Sequence, residues 1–449
     1  MSKSQKEDVM LVSFKVSNFL SINSEQTLNL FPSRVTSHKG HKFKTKTTQV
    51  DILKSAIIYG PNSAGKSNLF KAINFARNFI VKGSKNKNFI DVPIFKLNKS
   101  EDSPSQFVFE INAESNNYEY GFEIKNSIIE KEWLTKVYKT LNDVPIFERN
   151  LINKKPEIIV SFNITDKQKQ LVINSTKAEL KNNQLFLTIL NSKNKENIEN
   201  IFKIVFNWFD NILTVVFPDS MAHGIQLGIM KKKELNKFFD EFLNSLDTGI
   251  DKLCFHSYSL DDEFVTIPKD LKIEIKNDLD EDTELITVSS NDGFERFCIE
   301  RIKGEFIAHK LKAVHLNKNN KEIEFDFREE SDGTNRIFNL IPALSMLIKS
   351  NKVVLIDEID RSLHSLIPAK IFEYFFKETK DKASQIIAST HDINLLDLKK
   401  FRRDEIWFIR KNAKFESEIY SLEEFKTRFD KGLCNAYLSG VYGAIPILD

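Results

Sequence analysis

Eight consecutive residues, Gly60-Pro61-Asn62-Ser63-Ala64-Gly65-Lys66-Ser67, have the types and spacing to wrap a polyphosphate. Glycines let backbone approach an anion without Cβ in the way, and amides opening a helix point their positive ends at it. A lysine at the sixth position after Gly60 reaches β- and γ-phosphates, and the next hydroxyl is a Mg²⁺ ligand. Gly60, Asn62, Gly65, Lys66 and Ser67 are thus the candidate nucleotide-binding residues. The chemistry works only if a strand delivers the loop and a helix leaves it. Lys54–Tyr59 is an apolar run that reads as a buried strand, and Asn68–Ala76 carries its apolar residues at helical spacing. A glycine turn with an incidental lysine would satisfy far less of this pattern. The expectation is a nucleoside triphosphate site.

A second run, Val353-Val354-Leu355-Ile356-Asp357-Glu358, reads as another buried strand ending in acids. Asp357 is placed to complete a Mg²⁺ shell, and Glu358 to activate water as a general base. Alone, an apolar strand ending in Asp-Glu is as often structural; paired with the loop it becomes the expected partner. Ala383–Asp392 is a third apolar strand, closing on His391, which is placed to sense a γ-phosphate. Upstream, Ser331-Asp332-Gly333-Thr334 opens an apolar helix, which by itself is equally a cap or an anion-ready turn. Well over half of the chain separates Lys66 from Asp357, so something large is inserted within one nucleotide-binding core.

The elements that must position these residues change character along the chain. A chain of 449 residues exceeds the usual single-core limit and predicts two or more lobes. Between about 105 and 150, alternating runs with Asn-rich turns predict antiparallel strands. From about 165 to 250 the period becomes helical, as in Ile198, Ile201, Phe202, Val205, Phe206 and Phe209, or Leu235, Phe238, Phe239, Phe242, Leu243 and Leu246. These aromatic stripes read as helix contacts rather than a ligand pocket. Residues 260–328 are charged and alternating, and predict strands. The expected division is 1–160, 161–255 as a helical insertion, and 256–449.

Net charge is +2, which leaves no nucleic-acid-sized positive field over the whole molecule. The first fifty residues carry eight Lys/Arg against Glu7, Asp8 and Glu25, a weak pointer to a polyanion and better explained as a solvated loop. Three distant cysteines form no disulfide framework or zinc spacing. No apolar leader and no bilayer-length apolar run occur, so the expected location is the cytoplasm, with no membrane partner.

The ordered set resembles the ABC-type ATPase heads of the SMC, Rad50 and RecF group. In that resemblance, 60–67 is the Walker A loop, 353–358 the Walker B strand, 331–334 the signature turn, Asp360 the start of the D-loop and His391 the switch histidine. Leu11–Ser21, with its Asn18-Phe19 turn, resembles the group's opening strand. The signature reads Ser-Asp-Gly-Thr, where Ser-Gly-Gly is commoner, and Gln106 is the one candidate for a Q-loop glutamine. Heptad arms and a Cys-x-x-Cys hook are absent, and the stretch after His391 is short for a fused nuclease. Arg402–Phe408 and Tyr437–Pro446 resemble the stand-alone AAA-15/AAA-21-type ATPases of prokaryotic abortive infection and anti-phage defence, a group that includes the ATPase subunit of the PARIS system. The resemblance implies an α/β P-loop NTPase, an ABC-type head split by a helical insertion. It implies ATP and Mg²⁺ as ligands, with Asp360 among the nucleotide-binding residues, and a homo-oligomer of at least two subunits in which Ser331 and Gly333 of one copy face the γ-phosphate bound by another. A nucleotide-driven switch over a separate toxic effector, such as a nuclease, is the leading expectation. A RecF/Rad50-like DNA-repair ATPase, with nucleic acid as partner, is the alternative.

Overall fold

The computed structural model describes residues 8–45, 50–84, 89–97, 103–139, 141–162, 164–193, 197–221, 225–231, 233–279, 285–290, 294–425 and 432–445. It has a mixed α/β fold in two compact units. One comprises Met1–Phe217, Leu347–Ile359 and Phe372–Asp449; the other comprises Pro218–Met346 and Asp360–Ile371.

Among its described residues the first unit holds two large sheets and a two-stranded one, Lys42–Lys44 with Asp51–Leu53. A six-stranded sheet runs in the order Leu213–Val216, Val353–Ile356, Gln385–Ser389, Ser55–Tyr59, Ile406–Lys411, Ser417–Ser421. The first five strands are parallel, and the sixth pairs antiparallel with the fifth. Ser55–Tyr59, Val353–Ile356 and Gln385–Ser389 are buried at every position, which is why they read in sequence as largely apolar runs. The helix Lys66–Lys82 packs one face into the core through Leu69, Phe70, Ile73, Ala76, Phe79 and Ile80.

A seven-stranded antiparallel sheet has the order Lys155–Val160, Val144–Ile152, Ile128–Val137, Asn116–Lys125, Ser105–Ala113, Val9–Ser17, Gln26–Asn29. Three of its hairpins close through two residues that both take positive φ: Glu114-Ser115, Asn126-Ser127 and Asn153-Lys154. Such mirror-image turns match the twist of the strands they join. Fully buried Gln385 stitches this sheet to the first. It accepts from Leu11 N at 2.9 Å and donates to Leu11 O at 3.0 Å and Leu53 O at 2.7 Å.

Helices Lys167–Glu179, Phe186–Lys193 and Asn200–Asn207 pack into the same core, largely through aromatic contacts such as Phe147–Phe186 and Phe186–Phe202. Glu132 starts one of them. Its buried carboxylate accepts from Phe186 N at 2.7 Å, Leu187 N at 3.1 Å and Tyr120 OH at 2.9 Å. Burial pushes this carboxyl upward, while neighbouring Arg149 opposes the shift.

The base of the Ser55–Tyr59 strand is fixed by the Arg402–Phe408 segment. Fully buried Glu405 accepts from Ser55 Oγ at 2.6 Å, from His41 Nδ1 at 2.8 Å and from Arg402 N at 2.6 Å. The His41 ring stacks on Phe376 with centroids 3.5 Å apart. A buried carboxylate with this many donors holds one arrangement, because losing any partner strands a charge.

The second unit contains helices Ile225–Lys231 and Lys233–Ser245 and a four-strand path Lys252–Ser259, Glu305–Leu316, Arg296–Ile302, Ile286–Ser289, with Glu322–Phe325 pairing Glu305–Leu316. Helix Lys269–Asp278 covers a small core of Leu260, Val265, Ile275, Leu279, Phe297 and Ile299. The helix that begins at Asp332 starts in this unit. Among the described residues, no helix is long and apolar enough to cross a membrane.

Candidate functional site

The loop 60–65 leaves the strand Ser55–Tyr59 and enters the helix at Lys66, as the spacing predicts. Gly60 is required by a close approach: a Cβ there would lie 2.3 Å from the Ile409 carbonyl oxygen. Gly65 is required twice over. Its φ is +116, and a Cβ would meet Ser417 Oγ at 2.2 Å and Ser21 Oγ at 2.8 Å. Both positions therefore fit a loop whose backbone closes around an anion. Asn62 and Ser63 are exposed at the rim, and Ser63 takes φ 63. Lys66 is buried, and its ammonium donates to Gly60 O at 2.7 Å and Pro61 O at 3.2 Å, so the charge sits over the loop's own carbonyls. Ser67 is half-buried on the first turn of the helix.

The strand Gln385–Ser389 lies between the loop's strand and the strand Val353–Ile356, with Ser389 opposite Ile58 and Ala388 opposite Ile356. All three strands therefore present their C-terminal ends at one edge, where open parallel sheets bind ligands. Asp357 is buried at that edge and its amide donates to Val216 O at 2.9 Å. Ser389, which sequence reasoning did not single out, joins the two acids. Its hydroxyl donates to Asp357 Oδ1 at 2.6 Å and accepts from Glu358 N at 2.8 Å. Glu358 itself sits at φ 49, a left-handed conformation that costs a non-glycine residue about 1–3 kcal/mol. Strain of this kind is retained where the side chain must be aimed. The signal available in sequence was Ser389's place two residues before His391, but its meaning depends on the strand's insertion between the other two.

His391 follows the same strand and is exposed, after Thr390, whose amide donates to Ile58 O at 3.1 Å. The next residue, Asp392, caps a short helical turn by accepting from Asn394 N at 2.9 Å. The structure thus gathers Gly60, Gly65, Lys66, Ser67, Asp357, Glu358 and His391 on one sheet edge of one unit.

Ser331, Gly333 and Asp360 lie in the other unit. Ser331 caps the helix: its hydroxyl accepts from Thr334 N at 3.1 Å and contacts Thr334 Oγ1 at 2.9 Å. Gly333 has no room for a side chain, since a Cβ would stand 2.8 Å from the Ser362 carbonyl oxygen. A cavity of about 590 Å³ there is lined by Thr248, Ser331, Gly333, Thr334, Ser362 and His364. Gln106 lies on the strand Ser105–Ala113 of the antiparallel sheet, where its side-chain amide donates to Glu123 Oε1 at 3.0 Å.

The donor set suits ATP with Mg²⁺. The two glycines leave the cradle that a Cβ would fill, and a hydroxyl plus a carboxylate are the oxygen ligands Mg²⁺ takes beside phosphate and water. The cysteines offer no competing chemistry. All three are free, and burial pushes the Cys254 thiol up to about 11 and that of Cys298 up to about 12.

Replacing Ser389 by Ala removes the bridge between the acids and leaves the Asp357 oxygen and the Glu358 amide without it. The expected result is about 1–3 kcal/mol lost in unfolding free energy. Mg²⁺ affinity should fall about 10- to 100-fold, measured as the metal dependence of ATP hydrolysis. Unchanged metal dependence would remove Ser389 from the site.

A family model described as "AAA domain, putative AbiEii toxin, Type IV TA system" (AAA_21) matches residues 55–397, from the loop's strand to just past His391. No curated protein matches the sequence. Among solved structures, the SMC head domain from Thermotoga maritima is 11% identical, with a TM-score of 0.35, over 92% of this chain and 98% of that one. An Smc head domain with an extended coiled coil, bound to the C-terminal domain of ScpA, derived from Pyrococcus furiosus, is 11% identical with a TM-score of 0.37, over 97% of this chain and 100% of that one. An SmcHead bound to the C-winged helix domain of ScpA is 13% identical with a TM-score of 0.36, over 92% and 98%. The chain belongs to the AAA_21 family.

Proposed function

We propose that this AAA_21-family P-loop ATPase hydrolyses ATP with Mg²⁺ and uses its nucleotide state as a switch in prokaryotic anti-phage defence, controlling a separate toxic effector. The observation that carries the hydrolytic reading is the convergence of the Lys66 loop with the Ser389-bridged pair Asp357 and Glu358 on one sheet edge. Gly60, Asn62 and Gly65 shape the phosphate cradle, and Lys66 balances charge on the β- and γ-phosphates. Ser67 and Asp357 would hold Mg²⁺, which when bound would supply positive charge beside the phosphates. Glu358 orients water and accepts its proton, and His391 hydrogen-bonds the γ-phosphate. Ser331 and Gly333 act on the site of a second copy, so the working form is a homo-oligomer of at least two subunits. Hydrolysis is slow until those donors arrive, because the transition-state charge is then only partly met.

The defence role is supported by the words of the family's description, "putative AbiEii toxin, Type IV TA system", which associate it with toxin–antitoxin systems. A PARIS-like pairing of an ATPase with a separate effector, a nuclease being the leading type, is the arrangement this reading takes. The protein would act in the cytoplasm. A shared site predicts that turnover per chain rises with protein concentration across the range in which copies associate. Constant turnover per chain over a hundredfold dilution would contradict it. Turnover stimulated by DNA, with steep salt dependence, would instead assign the ATPase to DNA repair.

A further inference from the structure

The strand carrying the P-loop has different neighbours on its two sides. On one side lie Gln385–Ser389 and then the strand ending at Asp357; on the other lies the hairpin Ile406–Lys411 and Ser417–Ser421. A triphosphate on the loop must turn its γ-phosphate toward Asp357 and Glu358. Its nucleoside therefore leaves on the opposite side, over the hairpin.

That hairpin is fastened to the loop from both ends of the chain. Ser417 Oγ donates to the Ala64 carbonyl at 2.6 Å and lies 2.7 Å from Ser21 Oγ, a residue 396 positions away. Ser21 Oγ in turn accepts from Asn68 Nδ2 at 2.7 Å, at the start of the P-loop helix. Ser417 N donates to Ser21 O at 2.8 Å, and Asn23 Nδ2 donates to Glu416 Oε1 at 2.8 Å.

Two residues before Ser417 stands Phe415, 63% exposed and held at φ 61. A bulky residue is a steric outlier there, at a turn position that glycine would occupy without cost. The turn is built to keep it so. Phe415 N donates to Asn412 O at 2.9 Å, while Lys414 N and Glu416 N donate to Asn412 Oδ1 at 2.9 and 3.0 Å. Asn412 Nδ2 donates to Glu416 Oε2 and Glu418 Oε1, each at 3.0 Å. The opposite turn repeats the feature, with Leu20 at φ 50 directly before Ser21. Strained, over-determined backbone that exposes an apolar ring beside a ligand loop points to a contact with that ligand.

We propose that Phe415 is the platform on which the base of the bound nucleotide stacks, a base-stacking site continuing the P-loop away from Asp357 and Glu358. This rests on the reading of residues 60–67 as a nucleoside triphosphate site. Stacking gives affinity to any flat base and no affinity to a bare phosphate chain, which separates it from a structural role.

The test is calorimetric titration of the full chain with Mg²⁺-ATP and with inorganic tripolyphosphate. Phe415→Ala is expected to raise the ATP Kd roughly tenfold, from the value of one base–aromatic stack, and to leave tripolyphosphate binding unchanged. Phe415→Trp should retain ATP affinity. Phe415→Gly should weaken ATP as alanine does while raising the thermal midpoint, because the strain is gone. ATP affinity unchanged in Phe415→Ala, or equal weakening of ATP and tripolyphosphate, would overturn the proposal. Lys66→Ala separates the two layers. Loss of both ligands in that variant with a silent Phe415→Ala removes only the stacking site, whereas retention of both ligands removes the P-loop reading and the proposal with it.

Discussion

Glu358→Gln is expected to lower ATP turnover by about 10²- to 10⁴-fold, the range for losing a general base, while ATP still binds. The amide keeps the shape of the carboxylate but cannot take a proton from water. The backbone reason is independent of the side chain: the Glu358 amide is tied to Ser389 Oγ at 2.8 Å, and its φ of 49 aims the side chain from the end of the strand. Neither changes in the variant. Steady-state phosphate release checks the rate, and turnover at the parental level would mean that another group activates water. Glu358→Gly sharpens the argument. It should be equally inactive yet more stable by about 1 kcal/mol, because glycine adopts positive φ freely. Loss of activity with gain of stability marks a strained residue retained for function.

Lys66→Ala is expected to weaken ATP binding by about two orders of magnitude, in the range for truncating one partner of a buried charge pair. Lys66 is buried and its ammonium already lies over the loop, 2.7 Å from Gly60 O and 3.2 Å from Pro61 O. Little chain reorganisation is needed to bring that charge to a phosphate, so its energy is spent on the ligand. Equilibrium titration with ATP provides the check. An affinity within twofold of the parent would show that the backbone amides alone carry binding.

Much of the site was legible because parallel strands buried on both faces announce themselves. Ser55–Tyr59, Val353–Ile356 and Gln385–Ser389 are short, largely apolar runs buried at every position, and they lead directly into the glycine loop, the Asp357-Glu358 pair and Thr390-His391. Strand order was not legible. Nothing local says that the strand before His391 inserts between the other two, and Ser389's bridge follows from that insertion alone. The helix Lys269–Asp278 was hidden for a different reason. Leu271, Ile273 and Ile275 alternate as in a strand, yet the segment is a helix with Pro268 before it and Asp270 in its first turn. Only Ile275 is buried, and Ile273 is 59% exposed, so the alternation was not a record of burial.

The helical stretch expected from 161 to 255 is helical over much of its length. Its packing differs along it: Phe202 and Val205 join the core of the first unit, while Phe239 contacts Phe338 within the second. The side chain of Leu235, part of that stripe, lies outside the described residues. Aromatic spacing reports that a helix face is buried but not what buries it. The basic N-terminal stretch is similarly ambiguous in sequence. Within it, Lys42 pairs with Asp51 at 2.7 Å, a partner from just outside the stretch. Phe415 was invisible because its interest lies in φ and exposure, neither of which residue type reveals.

The central claim is that ATP joins copies of this chain through a site that one copy cannot complete. The measurement that tests it most directly is the mass of purified Glu358→Gln in solution, with and without Mg²⁺-ATP. The account predicts an ATP-dependent rise in subunit number that Lys66→Ala does not show. A mass that stays constant while ATP is demonstrably bound would contradict it.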